Sequence, residues 1–235
     1  MARRAPKPQQ GDNFVNDVAK ANRIKFCPRN RRQSEYAIAI RDNAMTFATG
    51  PAGTSKSYTA VTVACDMLLR GKVDKFIVAR PAVAACDENH GFLPGDLRKK
   101  LAPWARPIVD IMKKHGVDAE KMAQDGKFEA VPFTFLRGLT FDNAFIMLDE
   151  AQNTTPEQMR LFLTRLGENV RVVVDGDIAQ KDIRGDSGLA DGIDLFQTAS
   201  IPHGVVEFLP EDVERSALCR QIVLAYHDRD ARKAA

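Results

Sequence analysis

Gly50-Pro51-Ala52-Gly53-Thr54-Ser55-Lys56-Ser57 is the first stretch of this chain whose residue types and spacing can do chemistry. An apolar run, Ala44 to Ala48, precedes it, and a helix-like segment from Tyr58 to Leu69 follows. Strand, glycine-bearing loop, Lys-Ser and helix is the layout of a phosphate-binding P-loop. In such a loop successive backbone N–H groups curl into an anion-sized nest, and the helix points its positive end at the same place. Lys56 is expected to reach the β- and γ-phosphates of a nucleotide, and the Ser57 hydroxyl to ligate Mg²⁺. One position departs from the pattern, because Ser55 stands where a glycine usually precedes the lysine. A Cβ there crowds the phosphate and disfavours a positive φ, although its hydroxyl can donate to a phosphate oxygen. Taken alone, the stretch could also be an ordinary strand-to-helix turn.

A second chemical group supports the loop. Asn143 to Glu150 (NAFIMLDE) is a short apolar run ending in two carboxylates. This is the form of a Walker B strand, in which Asp149 holds the Mg²⁺ shell and Glu150 orients and polarises an attacking water. A third strand, Val170 to Val174, ends in Asp175-Gly176-Asp177-Ile178-Ala179-Gln180. A polar side chain at that tip can touch the γ-phosphate and report hydrolysis; Gln180 is the candidate, with Asp177 fixing the loop. Gln33, ahead of the first strand, can hydrogen-bond both edges of adenine or be a surface glutamine on a helix. Arg80 follows the run Lys75 to Ala79, at the strand end where ligands of open α/β sheets gather. It is placed to meet a phosphate or a bound strand. Trp104 lies among Arg98, Lys99, Lys100 and Arg106. Such interleaving suits stacking on single-stranded bases, while a tryptophan packed in a small core is the alternative.

These residues need a scaffold. Arg31 to Asn43 reads as a helix, and Gly71 as the cap of the helix after the P-loop. Residues 84–115 are the least regular part, with Asp96 as an N-cap and Pro103 and Pro107 interrupting a helix. Val117 to Gly126 reads as a short helix and turn, Val131 to Leu136 as a strand, and Thr155 to Leu166 as a helix opened by Pro156. A loop from Gly185 enters a short helix, Val205 to Phe208 is a last strand, and Asp212 to Tyr226 a closing helix. Arg215 would sit in its first turn, where a cation is unfavourable to the helix dipole. Apolar strands near residues 45, 75, 144 and 170 argue a mainly parallel sheet covered on both faces. The fold class is α/β.

Composition narrows the classes further. The chain has 235 residues, 44% of them hydrophobic and 28% charged, with a net charge of +3. That length is enough for one sizeable α/β domain. No apolar run is long enough to span a membrane, and the basic N-terminus lacks the apolar core of a secretion signal. Cys27, Cys65, Cys86 and Cys219 are scattered, as expected of free thiols in a reducing cytoplasm. The positive charge is concentrated at the start: residues 1–32 hold nine Lys/Arg against two acids. Residues 1–28 are expected to be a basic flexible arm that binds an anionic surface or stays solvated. Residues 29–235 are expected to form a single ATPase domain, with an irregular insertion at about 84–130.

Taken together, the stretches RNRRQSEYAIAIRDN, TGPAGTSKSY, ARPAV, GFLPGDLRKKLAPWARPIVD, FLRGLTFDNAFIMLDEAQNTTPEQMRLFLTRLG, VVVDGDIAQKD and SGLADGI resemble the PhoH-type proteins. These are phosphate-starvation-inducible ATPases whose cores look like the first motor domain of superfamily 1 helicases. The resemblance covers most of residues 29–226, and the run from Phe141 to Gly167 is its most specific part. It implies a RecA-like P-loop NTPase fold, ATP with Mg²⁺ as ligand, and hydrolysis coupled to RNA or single-stranded DNA. It places Gln33 near adenine and Gly50, Pro51, Ala52, Gly53, Thr54, Ser55, Lys56, Ser57 and Tyr58 around the nucleotide. Ser57 and Asp149 fall on the metal, Glu150 on the water and Gln180 in the sensor position. Arg215, in EDVERSAL, falls where the family places an arginine finger. Ser55 and the stretch at 85–90 depart from the family pattern. No appended nuclease-like domain of the kind some relatives carry is expected, and the compact length is expected of a minimal, phage-encoded member.

One motor core per chain means that a finger from Arg215 would have to come from a neighbour. Head-to-tail contacts of that kind close into rings, so a homo-oligomeric ring, most plausibly a hexamer, is expected. The first functional reading is therefore an ATPase acting on nucleic acid. The second is an ATP-dependent switch, slowed by Ser55, that recruits protein partners. A small-molecule kinase is a weaker third, because an Asp149-Glu150 pair and a Gln180 sensor serve attack by water.

Overall fold

A computed structural model describes residues 24–81 and 103–234. Six strands are present: β1 (Met45–Thr49), β2 (Lys75–Arg80), β3 (Phe128–Pro132), β4 (Ala144–Leu148), β5 (Arg171–Gly176) and β6 (Gly204–Glu207). They form one sheet in the order β3-β2-β4-β5-β1-β6, with every pairing parallel. Among the described residues the α-helices are α1 (Arg31–Asp42), α2 (Lys56–Leu69), α3 (Arg106–Lys114), α4 (Ala119–Gln124), α5 (Pro156–Leu163), α6 (Gly188–Thr198) and α7 (Ala217–Ala234). The fold is α/β, of the kind a P-loop NTPase requires.

The strands are apolar on both sides because both faces are covered. Phe76, Val78, Phe145, Met147 and Val173 join a core beneath α1, α2, α3 and α4. The residues between them, Ile77, Ala79, Ile146, Val172 and Val174, join a second core against α5 and α6. The alternation is the two-residue period of a strand, applied to two separate cores. Helix starts are equally explicit. The Asn30 side chain accepts from the Gln33 backbone N–H at 2.9 Å and caps α1. Thr155 and Gln158 form a reciprocal capping box at α5, with Pro156 at its first position. Gly71, at φ +62°, ends α2 as expected, with its N–H bonded to the Leu68 carbonyl.

Two expected elements need correction. The strand expected at Val131 to Leu136 lies earlier, at Phe128–Pro132, and Phe133–Leu136 is a 3₁₀ turn. Pro132 has no N–H to continue a ladder, so the strand ends there. The closing helix does not begin at Asp212: Pro210–Asp212 is a 3₁₀ turn and α7 starts at Ala217. Arg215 therefore precedes the helix, and the dipole argument does not apply to it. The last strand expected at Val205 to Phe208 is present as β6 (Gly204–Glu207), and β3 and β6 form the two edges of the sheet. Among the described residues no helix is long and apolar enough to cross a membrane. The arm up to residue 23, the Asp96 cap, Cys86 and Lys99 lie outside the described residues.

Candidate active site

The register of the sheet gathers the chemical residues at one edge. Ala48 pairs with Asp175 and Thr49 with Gly176, while Leu148 pairs with Val174 and Ala79 with Leu148. The ends of β2, β4, β5 and β1 therefore lie side by side. Arg80, Asp149, Asp175 and the P-loop follow from them in that order. The strand bearing the loop and the strand bearing the acids are separated by β5, so the tip of β5 falls between them.

The P-loop bends through three positive φ angles: Gly50 at +126°, Gly53 at +87° and Ser55 at +69°. A Cβ on Gly50 would lie 2.1 Å from the Phe208 carbonyl oxygen, so this position admits only glycine. Lys56 folds onto the loop, donating to the Gly50 carbonyl at 2.6 Å and the Pro51 carbonyl at 3.0 Å. Burial lowers the affinity of its ammonium for the proton, and Asp175, Asp177, Glu150 and Asp149 oppose that effect. Arg215 meets the loop from its own chain. Its Cγ is 2.9 Å from the place a Gly53 Cβ would occupy, and the Glu214 N–H donates to the Gly53 carbonyl at 2.9 Å.

Ser55 adopts the left-handed conformation that the sequence made costly for a residue with a Cβ, and its side chain caps nothing. Such a residue costs about 1–2 kcal/mol relative to its relaxed state. Ser55→Gly is accordingly expected to raise stability by about 1 kcal/mol, read as a higher midpoint in urea unfolding. An unchanged or lower midpoint would show that the serine is not strained.

Ser57 Oγ lies 3.5 Å from Asp149 Oδ1 and 3.5 Å from Asp175 Oδ2. One hydroxyl and two carboxylates form an all-oxygen donor set, which suits a hard divalent cation that keeps most of its waters. Asp175 is 1% exposed, and its Oδ1 is buried without a hydrogen-bond partner. Burial pushes this carboxyl well above the usual carboxylate range, Asp149 adds to the push, and Lys56 opposes it. Burial likewise raises Asp149, against the pull of Arg80. Asp175 was not among the expected site residues. Its only signal in the sequence is a carboxylate closing a buried VVV run, and the register is what brings it beside Ser57.

The sign of the resulting pH dependence follows directly. Folded Asp175 binds its proton more tightly than the unfolded chain does. Its burial therefore costs nothing below the ordinary carboxylate range, and stability falls as pH rises through the raised folded value. In buffer free of nucleotide and metal, Asp175→Asn is expected to remove this penalty and stabilise the protein by about 1–3 kcal/mol at neutral pH. The gain over wild type should grow from acid to neutral pH in urea titrations. A gain independent of pH would refute the assignment.

Glu150 sits at φ +54°, a conformation that non-glycine residues occupy at a cost and often at functional sites. Both of its oxygens are engaged: Arg80 Nη2 lies 3.3 Å from Oε1, and Gln152 Nε2 donates to Oε2 at 2.7 Å. Arg80 also approaches Asp149 at 3.9 Å, so it faces the acidic pair. Gln152 continues the chain of contacts, its Oε1 accepting the Asp177 N–H at 3.1 Å. Gln180 Nε2 donates to Asp177 Oδ2 at 2.6 Å. A Cβ on Gly176 would lie 2.3 Å from Gln152 Oε1, so the glycine leaves room for this link. Gln152 was also missed from sequence, since nothing in its type distinguishes it from a helix-capping glutamine.

The remaining expected residues fall as follows. Gln33 is buried at 2% exposure, its Oε1 accepting the Arg29 N–H at 2.9 Å and its Nε2 facing the Thr54 carbonyl at 3.4 Å. It braces the loop from behind. Thr54 is buried, with Oγ1 donating to the Pro51 carbonyl at 3.0 Å. Tyr58 is partly exposed beside the His115 ring, at 5.7 Å between centroids. Trp104 packs against the core beneath α3.

The chain is similar to proteins of one family. A family model described as "PhoH-like protein" matches residues 25–227. The chain is 45% identical over 204 residues to "Protein PhoH" of Escherichia coli (strain K12), covering 84% of this chain and 57% of that protein. It is 42% identical over 215 residues to "PhoH-like protein" of Bacillus subtilis (strain 168), covering 90% and 66%. To "PhoH-like protein" of Mycobacterium tuberculosis (strain ATCC 25618 / H37Rv) it is 43% identical over 204 residues, covering 85% and 57%. The chain thus spans about three fifths of the length of the curated relatives it matches. With a P-loop, an acidic strand end and a parallel sheet that brings them together, the chain belongs to the PhoH-like family, a family of P-loop ATPase-like proteins.

Proposed function

We propose that this protein binds ATP with Mg²⁺, hydrolyses it, and couples hydrolysis to single-stranded RNA or DNA. The observation that carries the reading is the convergence of Ser57, Asp149 and Asp175 beside the P-loop lysine, with Glu150 next in the chain. Mg²⁺ would be held by Ser57, Asp149 and Asp175, and would supply charge neutralisation to the phosphates. Lys56 binds phosphate through an ammonium that leaves the Gly50 and Pro51 carbonyls. Glu150 positions a water and accepts its proton, which requires its carboxylate to turn from Arg80 and Gln152. Arg215, lying over Gly53 of its own chain, contributes positive charge at that loop; to act as the finger of a neighbouring subunit, as expected in a ring, it would have to leave this contact.

The engagement of both Glu150 oxygens favours a second reading, a slow switch in which the bound state recruits protein partners. Steady-state ATP hydrolysis with and without single-stranded RNA and DNA separates the two. Turnover that rises with one nucleic acid supports the coupled ATPase and names its track. ATP binding without turnover, with or without nucleic acid, supports the switch. Repeating the assay across protein concentrations tests the hexameric ring: a rate per chain that climbs with concentration would add assembly to the reading.

A further inference from the structure

Fourteen residues of α2 separate the P-loop from a different feature at its far end. At 1.5 Å per residue this is about 20 Å. There, at the N-terminal edge of the sheet, lies a groove of ≈ 1020 Å³ between α1, the end of α2 and the start of β5. Lys25, Arg41, Arg70, Lys72 and Arg171 line it. Among the described residues Asp66 is the only carboxylate in the lining, and it is already paired with Arg70 at 2.9 Å. Among the described residues none of the other four cations is paired with a carboxylate. The buried Nε of Arg171 has no hydrogen-bond partner.

We infer that this groove binds the phosphate backbone of single-stranded nucleic acid. The inference rests on the proposed coupling to single strands and assigns it a surface. Cations held together without counter-charges repel one another, and a polyanion relieves that repulsion while releasing its own counterions. A ring and apolar side chains lie among the charges: Phe26 and Met67 line the groove, and Ile38 is 53% exposed beside them. They offer bases a surface to stack and pack against, as strand-binding grooves do. The sequence ahead of Ile24 carries Arg3, Arg4, Lys7, Lys20 and Arg23, so this part of the chain is basic in composition as well. A protein partner would need an unusually acidic face to match. The helix that starts at Lys56 and Ser57 carries Asp66 in its last turn and Arg70 as its C-cap, so a single rigid element joins the groove to the nucleotide site.

The test uses the full chain, fluorescein-labelled 20-nucleotide oligo(dT) and oligo(U), and anisotropy titrations over a range of KCl concentrations. The probe variant is Lys25→Glu/Lys72→Glu, both exposed. The control is Lys121→Glu/Lys127→Glu, an equal charge change on exposed residues elsewhere. At about 0.1 M KCl the probe variant is expected to bind at least about 10-fold more weakly. The slope of log affinity against log salt should fall by about 1.4 when two phosphate contacts are lost. The control should change less than about 3-fold, and circular dichroism and binding of a fluorescent ATP analogue should match wild type for both. If wild type binds and the probe variant binds equally, or the control loses as much, the groove assignment is overturned and the coupled ATPase stands. If wild type binds neither oligonucleotide, both are overturned. If the probe variant changes only the oligomeric state by light scattering, the groove is a contact between chains and the inference is overturned.

Discussion

Glu150→Gln is expected to lower the ATP turnover number by about 10²- to 10⁴-fold, the range for loss of a positioned general base. Nucleotide affinity should stay within about 3-fold of wild type. The basis is geometric. Glu150 follows Asp149 at the end of β4, yet among the described residues no hydrogen bond links its side chain to the P-loop. Its oxygens face Arg80 and Gln152 instead. A glutamine keeps the shape and the hydrogen bond to one neighbour, but it cannot accept a proton from water. The variant should therefore hold ATP without turning it over, visible as a slow release of fluorescent nucleotide analogue alongside a flat phosphate-release trace. Turnover within about 10-fold of wild type would remove Glu150 from the role.

Gly50→Ala should cost more stability than any other small substitution in the loop. Two penalties combine there. The φ of +126° belongs to glycine, and the added Cβ would meet the Phe208 carbonyl oxygen at 2.1 Å and its carbon at 2.8 Å. Backbone cannot step aside as a side chain can. The expected cost is about 3 kcal/mol or more, with loss of nucleotide binding because the nest is displaced. Gly71→Ala provides the comparison, since Gly71 has φ +62° but nothing within 4 Å of a new Cβ. It should cost only about 1 kcal/mol. Equal costs for the two in urea unfolding would mean that the Phe208 contact does not constrain the loop.

What could be read before folding was whatever depended on local pattern. Apolar runs ending in Lys-Ser or Asp-Glu announced β1 and β4, and Pro156 after Thr155 announced α5. Such signals sit within a few residues of their effect. Asp175 and Gln152 were invisible because their meaning lies in register: Ala48 opposite Asp175 sets one carboxylate beside Ser57, and the missing Cβ of Gly176 lets Gln152 reach Asp177. Arg80 was correctly placed at a strand end, but only the neighbouring β4 shows that it faces Glu150. Arg215 was misplaced within a helix, because Pro210 opens a 3₁₀ turn that leaves the chain free to return along Gly53. The resemblance to PhoH-type proteins supplied the family; the distances came from the fold.

A ribosome delivers the chain amino end first. β2, β3 and β4 lie together on one side of the sheet, and their last residue is Leu148. β1 emerges before all of them, yet its two neighbours are β5, beginning at Arg171, and β6, beginning at Gly204. Phe208, which donates to the Thr49 carbonyl, and Glu214, which donates to the Gly53 carbonyl, come later still. The nascent chain thus exposes its P-loop sequence early but can shape it only after Glu214 has been made. No finished loop exists until β5, β6 and the segment through Glu214 have joined β1.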